Sequence, residues 1–255
     1  MKPLTRDHWL NKVPQVTLAF WIIKILSTTV GETGADFLAV DAGLGQSVTT
    51  LGMAVLLGLA LFGQLRTKAY SPWIYWLTVV LVSIVGTQIT DVLTDGLGVS
   101  LYVSTAVFAT LLAINFMIWY AVERNLSIEE IVTPRREAFY WLTVLLTFAL
   151  GTAAGDLATE ALGLGFTLGA VIFGALIGLA FAAWRLGANP VLTFWVGYIL
   201  TRPFGASLGD LLTQAKTYGG LGMGAAWTSA LFLNVIVMLV AVAQFSVGQR
   251  KTIVL

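Results

Sequence analysis

Four aspartates recur at one fixed place in this sequence: Asp36, Asp91, Asp156 and Asp210 each stand five residues after a glycine and fifteen after a tryptophan. Stepping away from each in fours keeps to one helix face. The steps collect Thr28 and Glu32 in the first copy, Ser83, Thr87 and Asp95 in the second, Thr152 and Glu160 in the third, and Arg202 and Gln214 in the fourth. Each copy thus carries a polar stripe ending in a carboxylate, within an otherwise apolar run. Oxygen donors without cysteine or a usable histidine suit a hard divalent cation such as Mn²⁺, Mg²⁺ or Ca²⁺. Carboxylates so placed can also carry protons. Glu32, Asp36, Asp91, Asp156 and Asp210, helped by Thr28, Thr87 and Thr152, are therefore the candidate cation and proton ligands, and the candidate metal set is the five carboxylates. Lys24 and Arg202 are the basic residues inside apolar runs, and they are candidate counter-charges or gates. The negative surplus that remains favours a cation as ligand. The structural alternative is that the aspartates merely cap the outer helix turns.

The elements that must position these residues are repeats, which set architecture before anything else. Each copy opens with an aromatic pair ending in Trp21, Trp76, Trp141 or Trp195, continues to Gly31, Gly86, Gly151 or Gly205, and then reaches the Asp. A Gly-Leu-Gly follows at residues 43–45, 96–98, 163–165 and 220–222, and then a plainer apolar run. Small residues allow close helix contact in membranes, so the four glycines predict that the odd-numbered helices pack around a common polar centre. Trp and Asp lie about 22 Å apart along such a helix, which places them toward opposite membrane faces. The tryptophans then belong either to an interfacial belt or to the lining of the centre.

Composition supports the same architecture. Hydrophobic residues make up 58% and charged residues 11% of the chain, with a mean hydropathy of +0.87, which a water-facing surface does not accommodate. An all-α integral membrane protein follows, with spans of about 20 residues predicted at 15–38, 46–65, 72–94, 100–122, 138–160, 166–184, 190–213 and 224–245. The predicted organisation is a tail over 1–13, repeats over 14–66, 67–122, 138–186 and 187–247, and a loop over 123–137 between the second and third repeats. Ser127 and Glu130 in that loop resemble a capping box, and its charges read as a solvated face. Lys2, Arg6, Lys12, Arg66, Lys68, Arg124, Arg135, Arg136, Arg185, Arg250 and Lys251 fall on one side and Lys216 on the other. By the positive-inside rule both termini are cytoplasmic. An even number of spans per repeat makes the four copies parallel.

The function classes narrow accordingly. A net charge of +1 without a basic tract gives no reason to expect nucleic acid. The single His8 sits in the polar tail, and there is no cysteine, so thiolate and histidine metal sites are not expected. An intramembrane aspartyl protease would need a specialised pair and commonly a Gly-x-Gly-Asp, whereas Ala153-Ala154-Gly155-Asp156 and Ser207-Leu208-Gly209-Asp210 lack the first glycine. The leading expectation is a non-enzymatic, proton-coupled exchanger or exporter of a hard divalent cation. The alternatives are a non-transporting sensor or scaffold, or, with less support, the protease.

The fourfold two-helix repeat with its Trp, and above all KVPQVTLAFWIIKILSTTVGET from Lys12 to Thr33, resembles a bacterial membrane family catalogued as a four-copy repeat of unknown function and often labelled "membrane-anchored protein". The resemblance implies a bacterial origin, hence the inner membrane, and eight membrane helices. It brings no activity with it.

Overall fold

A computed structural model describes residues 11–253, with side chains described as far as 247. The predicted tail through residue 10, including His8, and the side chains of Arg250 and Lys251 lie outside the described residues. Among the described residues the regular structure is all-helical: α1 Leu18–Asp36, α2 Gln46–Arg66, α3 Pro72–Asp91, α4 Leu101–Glu123, α5 Pro134–Asp156, α6 Gly165–Arg185, α7 Pro190–Thr213 and α8 Ala225–Ile253. Three odd helices start with proline in the first turn, where its missing N–H costs nothing, behind Ser71, Thr133 or Asn189. The fourth, α1, starts behind Thr17, whose hydroxyl accepts from Phe20 N. Thr133 and Pro134 move the start of α5 four residues ahead of the predicted 138.

In the first three copies the repeated Asp is the last residue before the helix widens into a π turn, at Phe37–Asp41, Val92–Gly96 and Leu157–Ala161. The glycines that follow take positive φ at Gly43, Gly98 and Gly163, a conformation open to glycine without steric penalty. The fourth copy differs. There α7 runs on to Thr213, and a short 3₁₀ turn at Lys216–Tyr218 leads toward α8.

The odd helices close a ring. Helix α1 packs on α3 and α7, and α5 packs on the same two from the other side. The repeated glycines make the contacts, all in one register. A Cβ on Gly86 would lie 2.6 Å from Phe148 Cβ, one on Gly151 2.5 Å from Arg202 Cβ, and one on Gly205 2.6 Å from Thr28 Cβ. One on Gly31 would overlap Ser83 Oγ. Thr28, Ser83, Phe148 and Arg202 each stand three residues before the glycine of their own repeat. So every glycine meets the same position of a neighbouring helix, and the arrangement is pseudo-fourfold.

The even helices form an outer layer, and each packs mainly on the odd helix of the next repeat: α2 on α3, α4 on α5, α6 on α7, and α8 back on α1. Their outward residues, such as Leu51, Leu59, Phe62, Met117, Leu179 and Val242, are exposed and apolar, as lipid contact requires. Among the described residues, six helices suit a membrane crossing by length and composition: 46–66, 72–96, 101–123, 134–161, 165–185 and 225–247. The protein is thus a multi-pass membrane protein built of four repeats. Helices α1 and α7 are not among the six; between them they carry Lys24, Glu32, Asp36, Arg202 and Asp210.

Candidate functional site

The centre of the ring is occupied by Arg202, whose side chain is fully buried. Its Nη2 donates to Glu32 Oε2 at 2.5 Å, to Thr152 Oγ1 at 2.7 Å and to Thr87 Oγ1. Its Nη1 donates to the Thr28 carbonyl at 3.1 Å. Glu32, Thr87 and Thr152 each follow their repeat glycine by one residue, so one guanidinium from the fourth repeat ties together the matching positions of the other three. The fourth such position is Ala206, and a small side chain there is consistent with a centre filled from α7 itself. The helix continues through Pro203, whose Cδ would lie 3.0 Å from a Cβ on Gly151.

Lys24 of α1 is a second buried cation inside the ring. Its Nζ lies 3.8 Å from the Phe148 ring centroid and 4.3 Å from that of Tyr198, and it has no hydrogen-bond partner. Ring faces attract ammonium groups. Arg202 also faces Phe148, at 5.9 Å. Phe148 and Tyr198 are site residues that the sequence reading does not single out. Both lie on the stepping-by-four path from Asp156 and Asp210, but they are not polar oxygen donors of the expected kind.

The repeated aspartates stand apart from this level, toward the Gly-Leu-Gly end. Asp36, Asp91 and Asp156 are half-buried and Asp210 is buried. No side-chain capping bond is made by Asp36, Asp91 or Asp156 at the π turns they precede, so the capping alternative finds no support there. Asp91 accepts from Gln46 Nε2 at 3.5 Å. Asp36 and Asp41 line a cleft of about 310 Å³ together with Thr213, Gln214 and Gly224. Among the described residues no three carboxylates come close enough to hold a metal ion. The expected metal set of Glu32, Asp36, Asp91, Asp156 and Asp210 is therefore not assembled: four members are spread over four helix ends, and Glu32 is committed to Arg202.

Three of the repeat tryptophans, Trp76, Trp141 and Trp195, are buried inside the bundle and Trp21 is half-buried, which is not the exposure of an interfacial belt. With their preceding aromatics they form a layer across the other end of the ring. Phe20 faces Phe194 at 6.0 Å, Tyr75 faces Trp141 at 5.5 Å, and the hydroxyls of Tyr75 and Tyr140 meet at 2.5 Å. From one end to the other the axis thus reads aromatic layer, Lys24, the Arg202–Glu32 level, and the aspartates.

The predicted loop over 123–137 is less solvated than its charges suggest, and its last four residues belong to α5. Arg136 and Glu137 are buried. Ser127 does cap a short turn, at Ile128–Glu130, with its hydroxyl accepting from Glu129 N. Glu130 does not complete the box and instead accepts from Asn125 Nδ2 at 2.8 Å.

The family described as Repeat of Unknown Function (DUF347) matches the chain four times, over residues 19–70, 74–125, 139–187 and 193–248. No curated protein and no solved structure matches it.

Proposed function

We infer, for a chain that belongs to the DUF347 repeat family, a cation transporter of the bacterial inner membrane that exchanges a hard cation for protons. In this reading α1 and α7 cross the membrane with the six more apolar helices, giving eight spans with both termini cytoplasmic. Their charges face the ring and not lipid, which is the usual lot of intramembrane ionisable residues.

One observation carries the reading: a buried guanidinium occupies the ring centre, held by one carboxylate and by oxygens from all three other repeats. Carboxylate, hydroxyl and carbonyl oxygens around a point on the axis are the donor set of a hard cation. Arg202 fills that set as a resident substitute, and the entering cation displaces it from Glu32. The aspartates at the Gly-Leu-Gly end supply a negative approach. Protonation of Glu32 or of an aspartate releases the cation in the exchange step. Manganese is the divalent metal we would test first, with magnesium and calcium beside it.

The test is flux in proteoliposomes with Mn²⁺, Mg²⁺ or Ca²⁺ outside and a pH-sensitive dye inside. Cation uptake with matching proton release, lost in Glu32→Gln and reduced in Asp156→Asn, is the expected result. Wild-type flux no greater than that of empty liposomes would sink the proposal. It would leave the second reading, a non-transporting scaffold or sensor, which is favoured by the same fact that Arg202 cross-links all four repeats.

A further inference from the structure

The aspartate end of the ring reaches the surface through half-buried carboxylates and a cleft, whereas the opposite end is covered by two pieces of chain far apart in sequence. One is the segment before α1, Asn11 to Val13; the other is the loop between α4 and α5. Asn11 Nδ2 donates to the Ile128 carbonyl at 3.1 Å, and its Oδ1 accepts from Ile131 N at 3.0 Å. Lys12 N donates to the Ile131 carbonyl at 3.1 Å. The pair is fastened to the ring at several helix ends. Asn11 O accepts from Tyr70 N ahead of α3 at 2.9 Å. The Leu126 carbonyl accepts from Trp195 Nε1 of α7 at 2.9 Å. The Ser127 carbonyl accepts from Arg136 of α5 at 3.3 Å.

One ion pair locks these contacts together. Lys12 Nζ donates to Glu137 Oε2 at 2.6 Å and to the Leu65 carbonyl at 3.0 Å, and Gln64 Nε2 donates to the other Glu137 oxygen at 3.2 Å. The side chains of Lys12 and Glu137 are 7% and 1% exposed. A buried pair gives little net stability compared with apolar side chains of similar volume, but breaking it by removing one partner is strongly destabilising. Such a contact suits a latch better than a permanent seam. The rest of the anchoring combines these hydrogen bonds to backbone groups at helix ends, which water can replace, with the buried side chains of Val13, Ile128 and Ile131, one from the first segment and two from the loop. Beneath it the ring itself is joined by glycine contacts that leave no such exchangeable layer.

We propose that residues 11–13 and the loop over 124–133 form the gate at the tryptophan end of the ring, and that Lys12 with Glu137 is its latch. This rests on the transport reading: the structure is the state closed at that end, and the gate must lift for a cation to pass the aromatic layer. The gate residues lie at the end predicted to be cytoplasmic, so they control release or entry on that side.

The chain has no cysteine, so thiol chemistry reports only on residues introduced for the purpose. In Lys12→Cys/Glu137→Cys, a bifunctional methanethiosulfonate that bridges the two thiols should stop cation flux in proteoliposomes, and a reductant should restore it. Flux that persists after complete bridging overturns the gate and leaves transport standing. A second measurement does not depend on transport at all. Val144, buried at the level of Lys24, is replaced by cysteine and labelled from the tryptophan side with a membrane-impermeant maleimide. Adding Glu137→Gln should raise the labelling rate about tenfold, as a shift toward the open population; an unchanged rate overturns the proposal whether or not the protein transports anything.

Discussion

Gly151 of α5 lies against Arg202 of α7 so closely that a Cβ on the glycine would sit 2.5 Å from both Cβ and Cγ of the arginine. The residue that holds the centre is thus also the residue whose stem forms a helix contact. Gly151→Ala must push either the guanidinium or α7, and overpacking of this kind costs about 1–3 kcal/mol. A Cβ on Gly58 of α2 would meet nothing within 4 Å, so Gly58→Ala is the control. Thermal unfolding in detergent should show a clear loss for the first and no loss for the second.

Arg202 and Glu32 form the buried pair of the centre, at 2.5 Å. Removing one partner leaves the other charge uncompensated, at about 3–5 kcal/mol. Arg202→Met and Glu32→Gln should each be strongly destabilising, and the double variant less so than the sum. A double-mutant cycle that proves additive would mean that the two side chains act independently.

If Arg202 is a stand-in for a cation, its removal creates a binding site. Arg202→Ala should gain more thermal stability than the wild type on addition of Mn²⁺, Mg²⁺ or Ca²⁺, because in the wild type the cation must first displace the guanidinium. At about 100 times its dissociation constant a ligand adds roughly 2.7 kcal/mol. No stabilisation by any of the three, in a variant that still folds, would count against the substitute-cation role.

The ion pairs at the tryptophan end divide by burial. Arg135 is 68% exposed and pairs with Glu123 at 2.5 Å, an arrangement worth about 0–1 kcal/mol. Lys12→Ala, which strands the buried Glu137, should cost several times more than Arg135→Ala in the same thermal assay.

Trp195→Phe keeps the ring in the aromatic layer and deletes the indole N–H bonded to the Leu126 carbonyl. A net hydrogen bond is worth about 0.5–1.5 kcal/mol, and here the loss is local. Hydrogen exchange should quicken over 124–133 and stay unchanged in the ring helices.

The helix boundaries and the packing glycines are legible in the sequence because both follow from spacing: an apolar run of membrane length, and one small residue in constant register with Trp and Asp. The polar stripe is legible for the same reason, and it leads to Glu32, Thr87, Thr152 and Arg202 together. Its division of roles is not. The spacing of four already puts Glu32 one turn deeper than Asp36; what it leaves out is that Arg202 takes Glu32 and so separates it from the four aspartates. The Lys12–Glu137 pair has no signal, since 125 residues separate the partners and both look solvated in a polar stretch. The even helices are so uniformly apolar that nothing in them names the neighbour they choose.

That choice of neighbour has a consequence for how the molecule is made. Thr33 of α1 meets Ser229 of α8 at 2.6 Å across a separation of 196 residues, because the outer helix that covers α1 is the last one. During synthesis α3, α5 and α7 each emerge just after the helix that will flank them. Helix α1, with Lys24, Glu32 and Asp36, instead emerges well ahead of its cover and waits for α8. A nascent protein stopped before α8 leaves the three charges of α1 without their outer cover, so the closing of the ring around them depends on the arrival of α8.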